Sequence, residues 1–309
     1  MRVLLVPDRP GWAYDILAES IVKHSQYEDI DIHYLVDIRE DLEKADFSSY
    51  DVVFFFLWYD AMRYGPMVKG FRFEKTCVGI HSLASWENRG LTTEQASQIC
   101  NQFGAAGYIS EELGQILQLQ SGFFTPNGVE GLIFYPEQML AERPLRLMWV
   151  GNPSTPHHGE NKGFHSIVKP VVESFSKDEV VLKTATPDHP VPRDAMGDFY
   201  RANHVLLCTS KHEGGPLPII EALACGRPVI STPVGVVHEV VQHGVNGLII
   251  ERNRASLSGA IQSILNDSRI LQRLAEGTAK GLLERTVERT VPMYDEMFAY
   301  VHQHGGNDA

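Results

Sequence analysis

Two carboxylates and the turn between them are the part of this sequence best suited to chemistry. Glu213 and Glu221 stand with seven residues between them in the run Glu213-Gly214-Gly215-Pro216-Leu217-Pro218-Ile219-Ile220-Glu221. An ionised carboxylate only accepts hydrogen bonds, so the hydroxyls of a sugar are its natural partners. Two adjacent glycines let a ligand approach the backbone with no Cβ in the way, and proline is tolerated in the first turn of a helix. The helix that follows turns free N–H groups and a partial positive charge toward the loop, which suits a phosphate or diphosphate. The expectation is one ligand with a charged end on the backbone and hydroxyls on the two carboxylates.

The elements that must hold this turn can be read on either side of it. His204–Thr209 has the apolar run of a strand, and the Ala/Leu/Ile segment up to Gly226 has the pattern of a helix ended by glycine. Upstream, short apolar stretches at Val3–Pro7, Ile30–Val36, Asp51–Leu57, Thr76–Ile80, Ala105–Ile109 and Gly122–Thr125 alternate with helical ones, notably Ala13–His24 and Thr93–Phe103. The alternation resumes with strands at Leu145–Val150 and Val180–Thr184 and a helix over Asp194–Asn203. It ends in helices at Ala255–Leu265, Ile270–Leu283 and Pro292–His302. Such a pattern predicts α/β architecture with parallel sheets, whose ligands bind beyond the carboxyl ends of the strands. A length of 309 residues suits two domains.

Composition excludes several classes. The formal charge of -12 opposes nucleic-acid binding, and Arg63, Lys69, Arg72 and Lys75 are read as a solvated loop rather than a lipid-binding patch. The longest apolar run, Val52 to Tyr59, is too short to span a bilayer, and the chain starts directly on a strand without a signal-peptide pattern, so a cytoplasmic location is expected. Cys77, Cys100, Cys208 and Cys225 lack zinc-site spacing and suit a reducing compartment. No Gly-x-Gly-x-x-Gly or Gly-Lys-Ser/Thr loop occurs, which removes the main support for dinucleotide oxidoreductases and P-loop enzymes. Asp29-Ile30-Asp31 has the form of a metal-binding Asp-x-Asp but opens a strand, and His238 and His243 are five apart, which turns them to different sides of a helix. The histidines 157, 158 and 165 lack a carboxylate or cysteine set to complete a metal site.

The run from Glu213 to Ile230, continued by Ser231–Val241 and His243–Ile249, resembles the paired-glutamate motif of retaining nucleotide-sugar glycosyltransferases of the family 4 type. The likeness is strong over 204–250 and partial elsewhere. It implies a GT-B fold: two Rossmann-like domains facing each other across a cleft, with a C-terminal helix crossing back to the first. The expected domains are 1–140, 141–288 and a final helix and tail from 289 to 309.

The resemblance also implies roles. Glu213 lies by the donor sugar, Glu221 holds the ribose, and the backbone of Gly214, Gly215, Pro216 and Leu217 meets the diphosphate. His81, in Gly79-Ile80-His81, reaches the sugar, and Gly11 shapes the first loop at the cleft. Pro126-Asn127-Gly128-Val129-Glu130 resembles the segment preceding the interdomain linker. Lys162 matches a lysine that neutralises the leaving diphosphate, whereas Asn152 stands where the family has arginine, so that stabilisation of the phosphate is either weaker or borrows from His157 or His158. A nucleoside diphosphate sugar is then a co-substrate, with no cofactor and no metal required, and the acceptor is a saccharide, a lipid-linked saccharide or a small molecule. The expected activity is retaining transfer of a hexose-type sugar, as in polysaccharide biosynthesis. Its alternatives are a non-catalytic nucleotide-sugar-binding or partner module of the same fold, and another GT-B enzyme such as a sugar-nucleotide epimerase.

Overall fold

The computed structural model describes residues 1–139, 142–154, 160–278 and 285–306. The chain forms two compact α/β units, one made of Met1–Gly128 with the C-terminal segment from Val287, the other of Val129–Thr286. The units divide at Gly128/Val129 rather than at the expected 140/141. Val129 donates its N–H to the Arg285 carbonyl at 2.9 Å, which ties the start of the second unit to its end.

The first unit holds a six-stranded sheet in the order β2-β1-β3-β4-β5-β6, comprising β1 (Val3–Val6), β2 (Ile30–Ile32), β3 (Val52–Phe55), β4 (Thr76–Ile80), β5 (Ala105–Tyr108) and β6 (Gly122–Phe124). Every adjacent pair is parallel, with Val3 opposite both Ile30 and Val52. Both faces are covered, which is why β1 and β3 are apolar throughout instead of alternating, and β4 is so after Thr76. Leu4, Val6, Val53 and Phe55 enter one core with Trp58 and Trp86. Val3, Leu5, Val52 and Phe54 enter another, closed by Leu17 and Ile21 of the first helix and by Tyr294, Met297 and Phe298 of the helix Val287–His304. Each of these large side chains contributes about 1.5–3 kcal/mol by leaving water. The C-terminal helix is fixed further where Asp295 accepts from Ser25 Oγ at 2.6 Å and from the Gln26 N–H at 2.9 Å.

Two elements differ from what their sequence predicts. The strand expected over Ile30–Val36 stops at Ile32, and Leu35–Glu40 is helical, with Leu35 and Ile38 buried. An apolar run shared by a strand end and a helix start carries no period that would separate them. The last helix begins at Val287, not at Pro292, which lies inside it. Pro292 withholds one N–H from the carbonyl of Glu288, an exposed residue, so the helix tolerates it. The expected segment 279–283 of the preceding helix lies outside the described residues.

The second unit holds a five-stranded parallel sheet in the order β11-β10-β9-β7-β8: β7 (Leu145–Val150), β8 (Val180–Ala185), β9 (Val205–Cys208), β10 (Val229–Ser231) and β11 (Gly247–Ile249). The strand order reverses beside β7, which pairs with β8 on one edge and β9 on the other, and ligands of such sheets bind at the carboxyl ends near this reversal. Arg227 is buried and spends its guanidinium on backbone carbonyls, Nε to Asn203 at 2.9 Å and Nη1 to Glu137 at 2.8 Å and Cys225 at 3.0 Å. It fastens the end of the helix Leu217–Ala224 to the chain before β7. All four cysteines are free thiols, and no helix among the described residues is long and apolar enough to cross a membrane.

Candidate functional site

The turn that follows β9 and the segment that follows β7 meet at the carboxyl end of the second sheet. Lys162 Nζ donates to Glu213 Oε1 at 2.7 Å, and Ser210 Oγ donates to the same oxygen at 2.9 Å. Both charged side chains are mostly enclosed, 23% and 19% exposed, so their attraction is poorly screened. Burial pulls the Lys162 ammonium down, but the charge and hydrogen bond of Glu213 outweigh it, and its pKa stands above the ordinary lysine value. Lys162 therefore carries a full positive charge at neutral pH.

The two loops are sewn together by side chains that the sequence did not single out. Asn161 accepts from the His212 N–H at 3.0 Å and donates to the His212 carbonyl at 2.9 Å. Arg252, beyond β11, donates from Nε to the Thr209 carbonyl at 3.0 Å and from Nη2 to the Glu160 carbonyl. Gly163 has φ +68, and a Cβ there would sit 2.9 Å from Thr209 Oγ1, so glycine is needed for this approach. Gly235, with φ +50, serves the glycine turn in the same way: a Cβ would lie 1.8 Å from the Gly214 carbonyl oxygen, which instead accepts from the Val236 N–H at 2.9 Å.

After Glu213, Gly214 and Gly215, Pro216 occupies the cap of the eight-residue helix Leu217–Ala224, and Pro218 lies in its first turn. No side chain caps this helix. Asn152 accepts from the Ser154 N–H at 2.9 Å and so shapes its own loop. His157 and His158 lie outside the described residues, and His165 is exposed.

Glu221 is not the exposed charge that an isolated helix glutamate would be. Only 4% of its side chain is exposed. Arg193 Nη1 bonds to its Oε1, and Tyr200 Oη donates to Oε2 at 2.8 Å. Burial, then the neighbouring charge of Glu221, holds the Tyr200 phenol far above its usual range. Arg193 lies over the ring of Phe134, 4.6 Å from its centre.

Gly11 and His81 belong to the first unit, at the ends of β1 and β4. Gly11 has φ +74 and donates its N–H to Asp15 Oδ2 at 2.6 Å, while Tyr34 Oη donates to Asp15 Oδ1 at 2.9 Å. His81 lines a cavity of about 230 Å³ with Tyr14, Trp58, Tyr59 and Arg89. Its ring lies 4.7 Å from that of Tyr14, and its Nε2 is buried without a partner among the described residues. Burial lowers the His81 pKa to about 4 against an opposing backbone bond to Phe56, so the imidazole is neutral at pH 7. Nearby, burial raises the Asp60 carboxyl to about 6, against the pull of Arg89 and Arg39.

The competing metal motifs are occupied otherwise. Arg2 bonds Asp31 at 2.8 Å and approaches Asp29 at 3.5 Å, and His243 Nδ1 accepts from the Ile249 N–H at 3.0 Å. Among the described residues, no group of three His, Cys, Asp or Glu side chains is placed to hold a metal ion. Two of the four residues in the basic patch are neutralised by neighbours, Lys69 by Asp46 at 2.7 Å and Arg72 by Glu74 at 2.5 Å.

Residues 189–281 match the family model described as glycosyl transferases group 1. Over 175 residues the chain is 27% identical to a D-inositol 3-phosphate glycosyltransferase of Thermobispora bispora, covering 53% of this chain and 39% of that protein. Over 107 residues it is 35% identical to the protein of that name in Geodermatophilus obscurus, covering 34% of this chain and 24% of that one. The chain thus spans well under half the length of these relatives. Among solved structures, Anabaena Alr3699/HepE in complex with UDP-glucose aligns over 97% of this chain and 100% of its own, with a TM-score of 0.74 at 12% identity. Sucrose-phosphate synthase of Thermosynechococcus elongatus aligns over 97% and 100%, with a TM-score of 0.67 at 14% identity. These likenesses establish the GT-B fold.

Proposed function

We propose, from a chain that carries a group 1 glycosyltransferase segment within a GT-B fold, that this protein transfers a hexose-type sugar from a nucleoside diphosphate donor with retention of anomeric configuration. The observation that carries the proposal is the Lys162–Glu213 pair in the loops after β7 and β9, with Glu213 leading into the Gly-Gly-Pro turn. Breaking the bond between sugar and diphosphate builds negative charge on the leaving oxygen, and fixed donors aimed at that charge lower the barrier. Lys162 supplies a full charge, while the backbone of Gly214 to Leu217 and the helix N-terminus supply oriented N–H groups. Glu213 accepts from sugar hydroxyls and Glu221 from the ribose. His81, neutral at pH 7, is assigned to the sugar because an uncharged imidazole exchanges hydrogen bonds with hydroxyls.

Charge neutralisation by Lys162 asks for no divalent ion. The solved structures of Anabaena Alr3699/HepE with UDP and with UDP-glucose make UDP-glucose the first donor to try, and the named substrate of the relatives makes a cyclitol phosphate a reasonable acceptor beside glycans and lipid-linked saccharides. One observation favours a second reading, binding without turnover: Asn152 brings no charge, and its side-chain oxygen is engaged within its own loop. Acceptor-dependent release of UDP from UDP-glucose, with the anomeric form of the product read by NMR, tests the proposal. Nucleotide-sugar binding with no release across the acceptor panel would favour the second reading.

A further inference from the structure

The surroundings of Glu221 carry an inference about how this site selects its nucleotide. Arg193 and Tyr200 are seven residues apart, at the two ends of a continuous helical segment made of a 3-10 turn at Arg193–Ala195 and a helix over Met196–Arg201. Two turns apart, they lie on one face of that segment and converge on a single carboxylate of the neighbouring helix Leu217–Ala224. Each takes a different oxygen. Phe134 supports both: its ring lies under the Arg193 guanidinium and 6.1 Å from the Tyr200 ring.

A carboxylate offers about four lone-pair positions, two on each oxygen. With Arg193 on Oε1 and Tyr200 on Oε2, each oxygen keeps about one position for a ligand. The two remaining positions belong to a carboxylate held against rotation from both sides. The partner that uses one position on each oxygen is a pair of neighbouring hydroxyls.

We propose that Arg193 and Tyr200 are positioning residues that fix Glu221 as a receptor for a vicinal diol, and that they thereby set the preference of the site for ribonucleotides over 2′-deoxyribonucleotides. The inference rests on the nucleotide-binding reading of the same site, and it adds two residues and a selectivity. Without the clamp, the Glu221 carboxylate turns to whichever partner is at hand, and a single hydroxyl serves almost as well as two. Tyr200→Phe removes one bond and leaves the ring in place, and Arg193→Lys keeps the charge but loses the planar fork.

The test is calorimetric titration of the full chain with UDP, GDP and ADP and with their 2′-deoxy counterparts, in wild type, Tyr200→Phe, Arg193→Lys and Glu221→Gln, each first checked for cooperative thermal unfolding. In wild type, at least one ribonucleotide should bind about tenfold or more tightly than its deoxy form, a step of about 1.4 kcal/mol. Tyr200→Phe and Arg193→Lys should bring that ratio down to about two or three by weakening the ribonucleotide while leaving the deoxynucleotide nearly unchanged, an outcome that a general loss of structure does not produce. Glu221→Gln should abolish the preference. A ratio that survives in both clamp variants but is lost in Glu221→Gln overturns the clamp and leaves the ribose reading intact. Absence of a ribose preference in wild type, its survival in Glu221→Gln, or failure of every nucleotide to bind overturns the underlying reading and the clamp with it.

Discussion

The carboxyl ends of the two sheets treat their polar groups in opposite ways. In the second unit, Lys162, Ser210 and Glu213 satisfy one another, and Arg193 and Tyr200 satisfy Glu221, so that both carboxylates are paired although Arg193 Nε is itself buried without a partner among the described residues. In the first, His81 Nε2 and Asp8 Oδ1 are buried without partners among the described residues, and the pKa values of both His81 and Asp60 are moved by burial toward their neutral forms. A wired set of charges is ready to meet another charge. A site with a neutral imidazole and unmet polar atoms is suited to hydroxyls, because an unmet buried donor or acceptor costs about 1–3 kcal/mol until a ligand supplies its partner. The same strand order, reversing beside the first strand of each sheet, therefore presents two different chemistries.

The largest effect should come from breaking the wired side. Lys162→Ala is expected to lower the turnover number by about 10²–10³, the scale for loss of one preorganised donor to a developing charge, and to raise the KM for the donor sugar as well, because the same ammonium meets the bound diphosphate. Initial rates of UDP release check it, and a rise in KM with the turnover number unchanged would place Lys162 in ground-state binding only. Glu213→Ala should also remove most transfer while leaving nucleotide affinity within a few-fold of wild type, read by rate and by titration.

Next in size is stability. Arg227→Met keeps the volume but strands several buried carbonyls, and at about 1–3 kcal/mol for each unmet group the second unit should lose at least 3 kcal/mol in denaturant unfolding. A change below 1 kcal/mol would mean that water satisfies those carbonyls.

The His81 side gives a pH signature with two signs. The folded-state pKa of His81 lies below its unfolded value, so the protein is penalised as pH falls from about 6.5 through about 4, where the unfolded chain binds a proton that the fold refuses. Asp60 is raised, so its penalty appears as pH rises from about 4 through about 6, where the unfolded chain ionises and the fold resists. His81→Asn should flatten the acid-side loss and Asp60→Asn the rise-side loss, both followed by thermal unfolding from pH 4 to pH 7. Unchanged slopes in both variants would remove the contrast between the two units. The smallest effect expected is none: with Lys162 carrying the charge, a chelator should leave transfer within the error of the assay.

How much of this was legible in the sequence depended on whether the signal was local. The strand, the glycine turn and the helix from 204 to 226 are contiguous, and each has its own pattern, so the turn and its two glutamates could be read directly. The central strands β1, β3 and β9 were legible because burial on both faces makes them uninterrupted apolar runs. The Lys162–Glu213 bond joins residues 51 apart, and no spacing rule announces it. Arg193 and Tyr200 did leave a trace, their separation of seven, but the loop before them has no diagnostic composition, and a tyrosine on a helix is ordinarily read as core. Burial of Glu221 could not be seen, because the residue type argues for exposure and only the partners reverse that argument. The start of the last helix was misplaced because Pro292 has the features of a first-turn proline, and the five residues before it continue the helix without a stop signal.

Whether Lys162 and the glycine turn hold a diphosphate is decided by a double comparison by titration: UDP, GDP and ADP against uridine, guanosine and adenosine, in wild type and in Lys162→Met. The preferred diphosphate should bind wild type about a hundredfold or more tightly than its nucleoside, and most of this gap should close in Lys162→Met while nucleoside affinity stays the same. A gap of equal size in the variant would contradict that role for Lys162.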